Sequence, residues 1–200
     1  MNKKYISIFL NILLIVLEII GIIYILGKYK LNLFMYYTID SNILLLFASI
    51  SYLICLFTGK NNKFIHFLKF SATVSAAITF VVVLSILSWV SNISLYNLLI
   101  KDAMLYHHIL CPLIAAISFV FFENYNSKMD RYELKGLIFT VLYAMIIIVL
   151  NIIKVISGPY PFLMVYNQSI IVSIIWFVIM TCITYTVSLT IKVLSEKYNK

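Results

Sequence analysis

The chain has 200 residues, 64% of them hydrophobic and only 11% charged, with a formal net charge of +8. That balance excludes a soluble domain, which would need more polar surface than this chain owns. It also argues against a nucleic-acid partner, because the lysines lie in short segments between apolar runs, where they set topology and meet anionic lipid head groups. Apolar runs of bilayer-crossing length recur along the chain, and each predicts a transmembrane helix. The first covers residues 5–26, follows a short basic start, and is too long and too poorly punctuated for a cleaved signal peptide. It carries Glu18, with Asn11 on the same face. The second covers 34–57 and the third 65–90, the latter with a small-residue stripe at Ser71, Ala72, Ser75, Ala76 and Thr79 that lets helices approach closely. The fourth covers 103–122 and holds His107, His108, Cys111 and Pro112. The fifth covers 134–156, with Asn151 and Lys154 near its end, and the sixth covers 168–194 after a turn-rich segment, Ser157 to Phe162. The expectation is an all-α, polytopic membrane protein: one integral domain over residues 1–200, built as a bundle of six transmembrane helices.

Lysine and arginine set the orientation. With the N-terminus inside, the inner segments hold Lys3, Lys4, Lys60, Lys63, Lys69, Lys128, Arg131, Lys135, Lys192, Lys197 and Lys200. The outer segments hold Lys28, Lys30, Lys101 and Lys154. Eleven against four puts both termini in the cytoplasm. The rich use of Ile, Lys, Asn and Tyr suggests a bacterial cell membrane. The cysteines Cys55, Cys111 and Cys182 sit inside apolar runs and read as small hydrophobes, not as a disulfide set or metal site.

One stretch breaks the apolar pattern: Tyr36-Tyr37-Thr38-Ile39-Asp40-Ser41-Asn42. Polar groups at membrane depth must find partners inside the protein. Thr38, Ser41 and Asn42 share one helical face, continued by Ser49 and Tyr52, while Asp40 points elsewhere. In the predicted topology Thr38 lies about one to two turns below the outer surface. His107 and His108, Asn151, Lys154 and Glu18 fall in the same outer slab, which scattered interhelical hydrogen bonding need not produce.

The residue types in that slab suit acyl transfer. A hydroxyl becomes a nucleophile when a neighbouring base takes its proton, and histidine is the common base. Thr38 with His108 fits, with Ser41 and His107 as competitors. Asp40 or Glu18 would orient the imidazole, and Asn42, Asn151 or Lys154 would stabilise an oxyanion. No metal or other cofactor is called for. A metal hydrolase using His107, His108, Glu18 or Asp40 is the weaker reading, because adjacent histidines do not share a helix face. A non-enzymatic lipid-binding or small-molecule transport protein is the main alternative, although no inverted repeat is visible.

Three motifs stand in order: Tyr37-Thr38-Ile39-Asp40-Ser41-Asn42, His108-Ile109-Leu110-Cys111-Pro112 and Tyr160-Pro161-Phe162-Leu163. Together with the six-helix layout they resemble the FAR-17a/androgen-induced family of multispanning membrane proteins, in its bacterial form. Animal members of that family are threonine hydrolases of fatty acid esters of hydroxy fatty acids. The resemblance implies that Thr38 is the nucleophile and that His108, four residues before Pro112, is its catalytic partner. Asp40-Ser41-Asn42 departs from the animal pattern, and His107 is an extra histidine. The function expected is therefore hydrolysis of a lipid-like acyl ester drawn from the membrane, its chain lying between helices two, four and five. The Tyr160-Pro161-Phe162-Leu163 segment reads as a lid or interfacial anchor.

Overall fold

The computed structural model describes residues 2–60, 62–91, 93–123 and 131–198. Lys128 and Lys200, counted in the orientation above, lie outside the described residues. Among the described residues the regular structure is all helix, with no strand. We label the helices α1 (Lys3–Tyr29), α2 (Tyr37–Thr58), α3 (Lys63–Val90), α4 (Leu95–Leu99), α5 (Leu105–Phe121), α6 (Tyr132–Ile152) and α7 (Ile170–Tyr198). Five of them, α1, α2, α3, α6 and α7, are long and apolar enough to cross a membrane. The fourth predicted span appears as the shorter apolar helix α5, preceded by the small helix α4 where the sequence suggested only loop.

Local chemistry sets the boundaries. Gly59, at φ 68°, supplies the left-handed residue that closes α2, a conformation glycine adopts without a Cβ clash. Asn62 then opens α3 by accepting from the Phe64 amide at 2.9 Å. The end of α6 is a correction to the sequence expectation. The helix stops at Ile152, not residue 156, and Lys154 turns the chain at φ 61°.

α3 lies at the centre of the bundle. Its stripe Ser71, Ala72, Ser75, Ala76 and Thr79 is buried, as small residues at a tight helix interface should be. α2 and α5 pack on it, and α1 packs on both of those. α7 lies at the other extreme, with long rows of exposed Ile, Val and Phe. In water such a surface would aggregate, whereas in hydrocarbon it is solvated.

α5 starts irregularly, and its proline explains why. Pro112 has no amide proton to give to the carbonyl four residues back, so the α-helical ladder is broken there. Residues Leu105–Leu110 form a wider π turn, in which the Cys111 amide bonds to the Tyr106 carbonyl. That shift leaves the His107 carbonyl without its usual helical donor. Asn42 Nδ2 fills the place at 3.2 Å and also bonds the Thr38 carbonyl at 2.6 Å. One side chain thus ties the start of α2 to the start of α5.

Candidate active site

Thr38 sits in the first turn of α2 and His108 in the π turn of α5. Both are buried, at 7% and 6% exposure, and Thr38 Oγ1 lies 3.3 Å from His108 Nε2. The other ring nitrogen, Nδ1, faces the Leu98 carbonyl oxygen at hydrogen-bond distance. That carbonyl is free because it belongs to the last turn of α4, where helical carbonyls lack amide partners. A carbonyl can only accept, so Nδ1 carries the proton and donates it. In a neutral imidazole Nε2 is then the acceptor, and the Thr38 hydroxyl donates to it. The tautomer is the one a general base needs.

By residue type an acid, Asp40 or Glu18, is the group expected to orient the imidazole. The structure supplies a backbone carbonyl from α4 instead. Asp40 is half-buried in the first turn of α2, and it is not the partner of His108. Glu18 is fully buried, but its Oε2 lies 3.5 Å from His107 Nε2, and the Cys111 thiol lies beside its carboxyl. His107 is seated over Gly21 of α1, where an added Cβ would come within 2.3 Å of its Nε2. The adjacent histidines therefore serve different neighbours.

The remaining predicted residues divide in the same way. Ser41 donates to the Thr38 carbonyl at 3.0 Å and meets Thr79 Oγ1 at 3.1 Å, so its hydroxyl belongs to the α2–α3 contact. Asn42 is occupied by two carbonyls, as described above. Asn151 donates to the Ile156 carbonyl at 2.9 Å and accepts from the Val165 amide at 3.2 Å, which fixes the segment after α6. Lys154 is exposed, with its ammonium 5.5 Å from the Tyr166 ring centre. Neither Asn151 nor Lys154 joins Thr38 and His108. The predicted slab is thus a two-residue centre with supporting groups around it.

Two cavities meet at Thr38. A vestibule of about 680 Å³ is lined by Thr38, His108 and Tyr160 and, toward its rim, by Asn97, Lys101 and Asp102. A narrow apolar cavity of about 90 Å³ lies on the other side, between α3, α6 and α7, with Ile78, Tyr143 and Trp176 among its walls. Thr38, Leu87 and Tyr160 border both. This places the apolar space beside α3, α6 and α7, not between the second, fourth and fifth predicted helices. Tyr37 and Tyr143 hold α6 against the start of α2, through Thr140 at 2.7 Å and the Met35 carbonyl at 2.6 Å.

Two features escaped the sequence reading. One is the Leu98 carbonyl, which has no side-chain signal. The other is a second polar cluster toward the opposite end of the bundle. Lys69, grouped above with the inner-segment lysines, is fully buried within α3. It donates to Ser49 Oγ at 2.7 Å and lies 3.7 Å from Glu123 Oε1. The same carboxylate oxygen accepts from Asn11 at 2.9 Å and Ser118 at 2.7 Å. A lysine amid apolar residues was the available signal. Among the described residues no group of three His, Cys, Asp or Glu side chains gathers as a metal site would require. No protein-family model, curated protein or solved structure matches this chain.

Proposed function

We propose that this chain is a membrane-embedded hydrolase of acyl esters, with Thr38 as nucleophile and His108 as general base. One observation carries the reading: the Thr38 hydroxyl meets an imidazole whose tautomer is fixed as acceptor, at the junction of two cavities. Nucleophile, base and a third group that orients the base are the parts an activated hydroxyl requires. The motif resemblance to the FAR-17a/androgen-induced family points the same way.

In this reading α5 is the sixth membrane-embedded helix, and both termini face the cytoplasm of a bacterial cell. The acyl chain of a membrane lipid occupies the apolar cavity between α3, α6 and α7, and its carbonyl carbon rests at Thr38. The alcohol part extends into the vestibule. The Thr38 hydroxyl proton passes to His108 Nε2 as Oγ1 bonds the carbonyl carbon. When the tetrahedral species collapses, the carbon–oxygen bond to the alcohol breaks and His108 returns the proton to the leaving oxygen. Water then gives a proton to His108 Nε2 as its oxygen bonds the acyl carbon; the bond to Oγ1 breaks, His108 returns the proton to Oγ1, and the free acid leaves.

The test is labelling of the purified protein in detergent with an alkyl fluorophosphonate, followed by peptide mapping. The expected outcome is modification of Thr38, lost in Thr38→Ala and in His108→Ala. A folded wild-type protein that stays unlabelled and cleaves no p-nitrophenyl acyl ester overturns the assignment. It would leave the apolar cavity as a lipid-binding or transport site without covalent chemistry.

A further inference from the structure

Acyl transfer through Thr38 needs more than a nucleophile and a base. As Oγ1 bonds the carbonyl carbon, the carbonyl π electrons move to oxygen, and that negative charge needs donors already in place. The donors suggested by residue type do not reach it. Asn42 is committed to two carbonyls, Asn151 fixes the segment after α6, and Lys154 is exposed on a distant turn.

Tyr160 borders both cavities at their junction with Thr38. Its phenol lies against the Thr38 hydroxyl and the backbone amides of Thr38 and Tyr37. Those amides belong to the first turn of α2, where helical donors have no carbonyl to bond, and Tyr36 offers no side-chain cap. The ring is held firmly. It stacks on Phe162 at 5.2 Å and 10°, meets Tyr36 edge-on at 6.2 Å, and sits between Pro159 and Pro161, which restrict the backbone on both sides. Burial pushes the phenol up to about 12, against the opposing pull of the Thr38 hydroxyl and amide, so it remains a donor at physiological pH.

We infer that Tyr160 is a third catalytic residue, whose hydroxyl donates to the oxyanion formed when Thr38 attacks an acyl ester, alongside the Thr38 and Tyr37 amides. The inference rests on the Thr38–His108 reading above. It assigns chemistry to a segment that otherwise reads as a lid. It also accounts for the place of Thr38 in the opening turn of a 22-residue helix, where unpaired amides and the positive end of the helix dipole face the new charge.

The test is Tyr160→Phe, which keeps the ring and its stacking and removes only the hydroxyl. Hydrolysis of a p-nitrophenyl acyl ester and the rate of fluorophosphonate labelling at Thr38 are measured beside wild type and Thr38→Ala. The expected result is a fall of about a hundredfold in kcat with KM nearly unchanged, a matching fall in labelling rate, and an unchanged unfolding temperature. Wild-type rates in Tyr160→Phe, with Thr38→Ala inactive, overturn the inference and leave the dyad standing. A fall in activity that tracks a lowered unfolding temperature or a raised KM also overturns it, because the residue would then be packing. An inactive, unlabelled wild type removes the dyad and this inference together.

Discussion

The bundle holds two buried polar clusters, and they differ in one respect. Thr38 borders a cavity on either side, and His108 lines the vestibule. Lys69, Glu123, Asn11, Ser118 and Ser49 are buried and bonded chiefly to one another. Between them lies an apolar layer that includes Leu14, Leu45, Ala48, Ala72, Ala76 and Ala115. Both clusters are expensive in hydrocarbon, so burial alone does not mark function. Access does. A polar group beside a cavity can meet a substrate, whereas one enclosed by its partners can only hold helices in register.

The largest expected effect separates the two clusters. Thr38→Ala should lower ester cleavage and probe labelling by at least about a thousandfold, as loss of a nucleophile does. Its effect on stability should stay within about 1 kcal/mol, the ordinary worth of one hydrogen bond. Lys69→Met should do the reverse. It leaves the Glu123 carboxylate buried without its cation, which costs about 3–5 kcal/mol, while the protein that remains folded labels at Thr38 as wild type does. Glu123→Gln added to Lys69→Met should recover part of that loss, since no charge is then stranded. Thermal unfolding in detergent, read beside labelling, checks both halves. Equal damage to labelling and stability in either variant would erase the distinction.

How much of this was legible follows the same division. The helices of α1, α2, α3, α6 and α7 were readable because bilayer thickness fixes their length and lipid fixes their composition. The Thr38–His108 pair was readable by residue type and motif. Its geometry was not, since His107 and His108 are adjacent and only the π turn forced by Pro112 settles which ring meets Thr38. The orienting group was out of reach, because Leu98 contributes a backbone atom. The partners of Asn42 were out of reach for a related reason. Its amide satisfies the His107 carbonyl, freed by the irregular turn ahead of Pro112, and a proline alone does not say which carbonyl loses its donor. Lys69 is legible too: it stands with the inner-segment lysines in the charge pattern, yet it lies in the second turn of the helix that opens at Lys63, within the predicted run 65–90.

Gly21 tests the boundary between the clusters, because it touches neither dyad residue yet seats His107. A Cβ there would lie 2.3 Å from His107 Nε2 and 2.9 Å from its Cδ2. Gly21→Ala must therefore displace a fully buried ring, at a cost of about 1–3 kcal/mol for overpacking. His108 follows His107 directly in the chain, so the displacement should reach the Thr38 contact and slow labelling by about tenfold to a hundredfold. A variant that loses stability and keeps the wild-type labelling rate would mean that the π turn isolates His108 from its neighbour.

The smallest effect belongs at the rim of the vestibule. Asp102 accepts from Lys28 and, at 2.9 Å, from Tyr24, two residues one turn apart at the end of α1. The Lys28 and Tyr24 hydrogen bonds hold its carboxyl below the usual carboxylate range. A carboxyl lowered by folding stabilises the folded state above its unfolded value, near pH 4, and that stabilisation is lost as the pH falls through the lower folded value. Water and salt screen such a pair, so Asp102→Asn should lower the unfolding temperature at neutral pH by no more than about 3 °C. The difference from wild type should shrink below pH 4 and in high salt. Labelling of Thr38 should be unaffected if the pair only ties α1 to the chain ahead of α5. A slower rate would instead mean that this solvated contact helps hold the Leu98 carbonyl against His108. The contrast between enclosed and accessible polar groups would then extend to a third kind, surface pairs that act on the site through the backbone they anchor.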